Sequence, residues 1–206
     1  HGRDADKFDR NFLSIMDANL PISVANQAHY PWLSLIVLLP AAGALLMPFL
    51  PKSNEGNEFN TPRNLAIAFL LADFALMLAV FGGLFDPHES GLQLVERVSW
   101  IPLIGLEWSL GADGISTPLV LLSGLVTLLS ATASWQVQSK SRLYFALLLV
   151  QASAQGLVFL SQDFLLFFLA WELELVPVYL LIAIWGGTRR LYAATKFILY
   201  TALASL

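Results

Sequence analysis

The chain contains no cysteine, which excludes a disulfide scaffold, thiolate zinc sites and iron–sulfur clusters held by its own thiolates. Charge is scarce: Asp, Glu, Lys and Arg make up 13% of the 206 residues, about half the ~25% usual in a soluble domain. Basic residues do not dominate, with 11 Lys and Arg against 15 Asp and Glu, so the chain has no electrostatic footprint for DNA or RNA. The three histidines, His1, His29 and His88, are far apart in the tail or in expected loops, a poor set for a haem or metal. Walker loop, dinucleotide GxGxxG, HExxH and serine elbow are all absent from the sequence. Bond-making chemistry is not expected of this chain.

What the chain has is hydrophobicity, at 57% of its residues, arranged in long runs between sparse charges. Pro31–Leu50 has no charged side chain over 20 residues, Ile115–Ser134 none over 20, and Leu143–Ser161 none over 19. Asn64–Phe85 carries only Asp73 in 22 residues, and Phe164–Gly186 carries only Glu172 and Glu174 in 23. A run near 20 residues spans ~30 Å of hydrocarbon as a helix. Buried helices of soluble proteins are usually shorter and keep a polar face. The pattern predicts an all-α integral membrane protein, with spans at about 31–50, 64–85, 115–134, 143–161 and 164–186. A sixth run, 191–206, stops at sixteen residues, short of a full crossing. That run and the initial His predict a piece of a longer polypeptide, made of a region 1–28 and a transmembrane region 29–206.

Residues 1–28 are polar and lack the apolar stretch of a secretory signal. Phe8, Phe12, Ile15 and Met16 would share one face of a short helix on a membrane or a partner; a mobile tail is the alternative. The loop Asp86–Gly114 has β-rich stretches on either side of Pro102, with Gly105 as turn residue and Trp100 and Trp108 as interfacial anchors. It predicts a small hairpin lying over the membrane. At the start of the next span, Ser116 is the expected N-cap, Pro118 suits the first turn, and Asp113 complements the positive helix end. Lys52, Arg63, Lys140, Arg142, Arg189 and Arg190 fall in the odd-numbered loops, against Arg97 alone in the even ones. The odd loops are expected on the cytoplasmic or stromal side and the N-terminus on the other.

A charge kept at mid-membrane costs roughly 2.5–3.5 kcal/mol even on the lenient insertion scale. Glu172 and Glu174 lie near the middle of their span, about 200° apart around a helix, so they cannot act as a carboxylate dyad. Pro177 removes an N–H that the Leu173 carbonyl would have used, and a glutamate beside a wetted helix break suits a proton or ion waypoint. The bland alternative is a neutral glutamate hydrogen-bonded across helices. Lys196 either reaches out to the interface or stays inside as a carboxylate partner. Asp73 reads as a structural hydrogen-bond partner rather than a relay member. Gln151, Ser153, Gln155 and Gly156 give the fourth span a small polar side, suited first to close packing and second to lining water.

Two strings are distinctive: WELELVPVYLLIAIWGG at 171–187, followed by RRLYAATKFILYTALASL, and GADGISTPLVLLSGL at 111–125. Together with the span spacing they resemble the antiporter-like membrane subunit of complex I-type NAD(P)H dehydrogenases, in its cyanobacterial and chloroplast (NdhD-type, NuoM-like) form, over about residues 30–206. The resemblance implies about fourteen helices with an inverted repeat, of which this chain would hold five and part of a sixth. It places the family's helix-five glutamate on Glu172, which pairs there with a lysine on helix seven along a central hydrated axis. It places a family lysine on Lys196, a second charge near the path. Glu174 belongs to the same motif without an assigned role. The implied function is proton translocation, driven by electron transfer elsewhere in the complex.

The resemblance further implies no cofactor on this chain itself. The complex would use iron–sulfur clusters, plastoquinone or another quinone, and NAD(P)H or ferredoxin. The implied partners are the other membrane subunits, including neighbouring antiporter-like ones, and the lipid bilayer, with no nucleic acid. The implied setting is a cyanobacterial or chloroplast thylakoid, or a bacterial inner membrane. An Mrp-type cation/proton antiporter subunit is the competing reading, and a membrane scaffold with trapped charges is a third.

Overall fold

The computed structural model describes residues 30–50, 61–89 and 91–205. The amphipathic stretch expected around Phe8–Met16 lies outside the described residues. Among the described residues six α-helices and one hairpin follow one another: α1 (Trp32–Leu46, continued by a 3₁₀ turn Met47–Phe49), α2 (Thr61–Gly83), β1 (Gln93–Ile101), β2 (Leu106–Ala112), α3 (Ser116–Ala133), α4 (Ser141–Leu160), α5 (Phe164–Trp185) and α6 (Arg190–Ser205). The first five helical segments are long and apolar enough to cross a membrane. They bury only part of their apolar surface against one another, so side chains such as Leu45, Leu122 and Leu169 face outward. In water that would be a liability; against acyl chains it is the expected solvent-facing surface.

α4 is the centre of the bundle, packing on α1, α2, α3 and α5, while α6 packs on α5. Close approach depends on small residues. A Cβ on Gly43 would stand 2.8 Å from the Phe69 ring, and one on Gly124 would stand 2.8 Å from the Met77 sulfur. Two apolar clusters divide the core by depth. One joins Leu33, Val37, Met77, Val80, Val120, Leu157, Val158 and Leu166 with the hairpin residues Leu106 and Leu110. The other joins Ala44, Met47, Ala66, Leu70, Ala131, Phe145 and Leu148 at the opposite end.

The hairpin is antiparallel, with Val98 opposite Trp108 and irregular register at either end. A 3₁₀ turn at Pro102–Ile104 and Gly105, at φ +70°, reverse the chain. This is the hairpin expected from the sequence. Its base is tied down: Gln162 N–H donates to the Ser109 carbonyl at 2.8 Å, and Leu110 bridges to Ser161. Trp100 is exposed, whereas Trp108 turns inward and donates from its indole nitrogen to Ser34 Oγ at 2.8 Å.

Ser116 is not the N-cap of α3, contrary to the sequence reading. It is the first helical residue, and Ile115 occupies the cap position without a side-chain cap bond of its own. Asp113 supplies the acceptor instead: its Oδ1 takes hydrogen bonds from Ser116 N at 2.6 Å and Ile115 N at 3.0 Å. The Ser116 hydroxyl accepts in return from Asp113 N at 2.9 Å. A carboxylate reaches two free amides at once, so it displaces the hydroxyl from the capping role.

Candidate functional site

Between the two apolar clusters lies a layer where the helices carry polar side chains. On α2 this is Asp73, set between Leu70 of one cluster and Met77 of the other. On α3 it is Thr127, on α4 Gln151, Ser153 and Gln155, and on α5 Glu172 and Glu174. All sit within segments long enough to span a membrane.

Glu174 faces α4. Its Oε1 accepts from Gln151 Nε2 at 2.7 Å and from Gln155 Nε2 at 3.2 Å. Glu172 faces the other way, toward α6, and its Oε1 accepts from the Ser205 hydroxyl at 2.6 Å. The two carboxylates therefore serve different helix interfaces, as two positions around one helix require. Both are half-buried. α5 runs unbroken through the buried Pro177.

Lys196 does not meet Glu172. It is exposed, and its Nζ stands 5.1 Å over the Tyr192 ring, one turn back toward the start of α6. Ser205, which does reach Glu172, is nine residues further along α6, or roughly 14 Å along the axis. A side chain reaching toward one end cannot also serve the carboxylate in the middle. Among the described residues no ion pair touches Glu172, Glu174 or Lys196.

Asp73 also departs from the sequence reading. A structural hydrogen-bond partner was expected; the side chain is 2% exposed, and its buried Oδ1 has no hydrogen-bond partner among the described residues. Gln151 Oε1 is likewise buried and unpartnered. Elsewhere on the polar side of α4, Ser153 donates to the Val37 carbonyl at 2.7 Å, three residues before the buried Pro40, and a Cβ on Gly156 would stand 3.7 Å from Val37, an ordinary contact. Beside it, α3 and α4 leave a cleft of about 320 Å³ that includes Thr127, Gln151 and Gln155 in its lining.

One buried carboxylate was not singled out by sequence reasoning. Glu96 on β1 accepts from Leu33 N at 2.6 Å, Ser34 N at 3.0 Å and Ser34 Oγ at 2.5 Å. It caps α1 from the hairpin, and the only signal was a glutamate on the inward side of a strand.

Residues 161–206 match the family model described as NADH:quinone oxidoreductase/Mrp antiporter, TM. The chain is 57% identical over 177 residues to NAD(P)H-quinone oxidoreductase chain 4 1 of Synechococcus elongatus, covering 86% of this chain and 32% of that protein. It is 53% identical over 179 residues to NAD(P)H-quinone oxidoreductase chain 4 of Prochlorococcus marinus, covering 87% and 33% respectively. The chain thus spans about a third of the length of these curated relatives. Among solved structures it superposes on a chain of respiratory complex I from Thermus thermophilus with bound NADH, with TM-score 0.70 and 28% identity over 84% of this chain and 33% of that one. It shares its fold with a chain of the archaeal membrane-bound sulfane sulfur reductase, with TM-score 0.65 and 18% identity over 84% and 26%. By sequence and by fold, this multi-pass membrane chain belongs to the antiporter-like subunits of complex I-type NAD(P)H-quinone oxidoreductases.

Proposed function

We propose that the chain belongs to a proton-translocating subunit of a quinone-reducing NAD(P)H or ferredoxin dehydrogenase, itself without redox chemistry. The observation that carries this reading is the polar layer with Glu172 and Glu174 held at mid-depth between two apolar clusters. Carboxylates retained where each is costly, and bonded among the described residues to neutral hydroxyl and amide groups, can gain and lose a proton without breaking an ion pair there. Glu172 is the proton-exchanging group, and its Ser205 bond is one that either protonation state of the acid can use. A lysine brought near it by a conformational change favours the ionised form and release; withdrawing the lysine favours uptake. Lys196 would be a second charge that modulates the path from its outer end. Glu174, fixed by two amides, would be a slower-changing part of the same layer.

On this reading the iron–sulfur clusters, the quinone and the NAD(P)H or ferredoxin site belong to other subunits, which are also this chain's membrane partners. The setting is a cyanobacterial or chloroplast thylakoid or a bacterial inner membrane, with the hairpin on the lumenal or periplasmic side.

Glu172→Gln in the full-length subunit, in the assembled complex reconstituted into vesicles, is the direct test. Quinone-dependent proton uptake should fall on the order of tenfold or more, while the complex still assembles. Normal uptake with the amide would reject the mechanism. Uptake that proceeds without quinone reduction would move the reading to an Mrp-type antiporter.

A further inference from the structure

Gln151 and Gln155 each face two neighbours. Their amide nitrogens both hold Glu174 Oε1, and both residues line the cleft of about 320 Å³ between α3 and α4. Gln151 is only 8% exposed, and its amide oxygen is buried with no hydrogen-bond partner among the described residues. A buried acceptor left unmatched carries its full desolvation cost, so the cleft side of Gln151 calls for a donor.

The opposite wall does not supply it. On α3 the cleft is lined by Ser123, Thr127 and Ser130. Each hydroxyl commits its single proton to its own helix: Ser123 donates to the Val120 carbonyl at 3.0 Å, Thr127 to the Ser123 carbonyl at 2.8 Å, and Ser130 to the Val126 carbonyl at 2.7 Å. The three therefore do not tie α3 to α4, and what they have left to offer is lone pairs. Ser134, at the end of the helix, continues the row, and its hydroxyl meets that of Tyr144 at 2.7 Å. Spacings of four, three and four keep these hydroxyls on one face of α3 over roughly 16 Å. A row of acceptors thus runs from the mid-depth amides to the loop between α3 and α4.

Acyl chains have no donor to give such a row. A bare cation would meet no counter-charge, because no charged side chain lines the cleft. Water brings two donors per molecule, and the cleft has room for several molecules, each with more than one polar partner. We propose that the α3–α4 cleft is a water-binding site, in which water donates to Gln151 Oε1 and to the α3 hydroxyl oxygens and so wets the amide clamp on Glu174 from the α3–α4 loop. This side of α5 is separate from the Glu172 side, which faces α6. The inference goes beyond the proton-translocating reading and stands whether or not Glu172 exchanges protons.

The test uses the intact complex with the full-length subunit, in membranes, and a readout that does not depend on turnover. Ser123→Cys and Thr127→Cys are close in size to the native residues and place a thiol on the cleft wall. Leu71→Cys places one at an outward-facing apolar position near the middle of α2. A small hydrophilic methanethiosulfonate reacts with the thiolate, which forms in water and not in hydrocarbon. Labelling at 123 and 127, read by mass against the unsubstituted protein, should be about tenfold or more faster than at 71. A rate at either cleft position no faster than at 71 would mean that acyl chains or another helix fill the cleft, and would overturn the proposal. If Thr127→Cys does not assemble, Ser123→Cys carries the comparison alone. Adding Gln151→Leu to Ser123→Cys should slow its labelling severalfold, since the buried acceptor is gone; an unchanged rate would detach the water from Gln151 and overturn the assignment as well.

Discussion

Glu96 shows how much a single residue can hold in a thinly packed membrane fold. Its carboxylate satisfies two free amides of α1 and one hydroxyl, and the hydroxyl in turn accepts from Trp108. This clasp ties hairpin to first helix across 63 residues of sequence, above the apolar contacts they already share. Buried amides left without an acceptor carry a desolvation cost of about 1–3 kcal/mol. Glu96→Ala should therefore weaken the first turn of α1 by that amount, read as faster amide exchange at Leu33 and Ser34. Glu96→Gln, which keeps one acceptor oxygen, should lie between; unchanged exchange in the alanine variant would show that the clasp holds nothing. Nothing local in the sequence announces this contact, because its two halves meet only when the hairpin folds back. The same is true of Asp73. Its position inside a span is legible from the charge pattern, but that its Oδ1 meets no hydrogen-bond partner among the described residues depends on the helices packed around it.

The elements themselves were far more legible, since apolar length and turn chemistry act locally. The five spans and the hairpin around Pro102 and Gly105 follow from runs of like residues, and the structure contains them. The start of α3 shows where local reading errs: Asp113 does sit at the positive helix end, as its charge suggests, but it also supplies the cap that the sequence assigns to the hydroxyl of Ser116. Asp113 lies outside the spans, and the hydrogen bond from Ser116 N–H, with a further one from Ile115, holds its carboxyl below the ordinary carboxylate value. A depressed folded value means that the cap is at full strength above the unfolded value of about 3.9. It is lost as pH falls below that and through the folded value. Amide exchange at Ser116 should be steady, relative to an uncapped reference, from neutral pH down to about 4. Below that its protection should decline. Asp113→Asn should remove the pH dependence; protection that declines equally in the variant would assign the cap to another group.

At the scale of the whole molecule, the layered core and the loop charges make independent statements about direction. The hairpin cluster lies at the end where α1 begins and α2 and α4 finish, and the opposite cluster lies where the basic loops are. Arg63 stacks 3.9 Å from the Trp135 ring and Arg142 binds the Leu50 carbonyl, so these positives belong to one face of the bundle. Basic short loops favour the cytoplasmic side during insertion, and the orientation proposed above, with the hairpin on the lumenal or periplasmic side, rests on that rule. These 206 residues hold no cysteine, so a thiol introduced among them is the only one in this stretch, and labelling is read at the introduced position against the unsubstituted protein. His88→Cys and Gln138→Cys place a thiol at exposed positions on opposite ends. In sealed vesicles with the cytoplasmic face outward, a membrane-impermeant maleimide should label the thiol at 138 and spare the one at 88 until the vesicles are opened. The reverse order would invert the bundle. Glu172 would then exchange protons with the opposite compartments, and proton flow would have to be redrawn even with every contact in the polar layer unchanged.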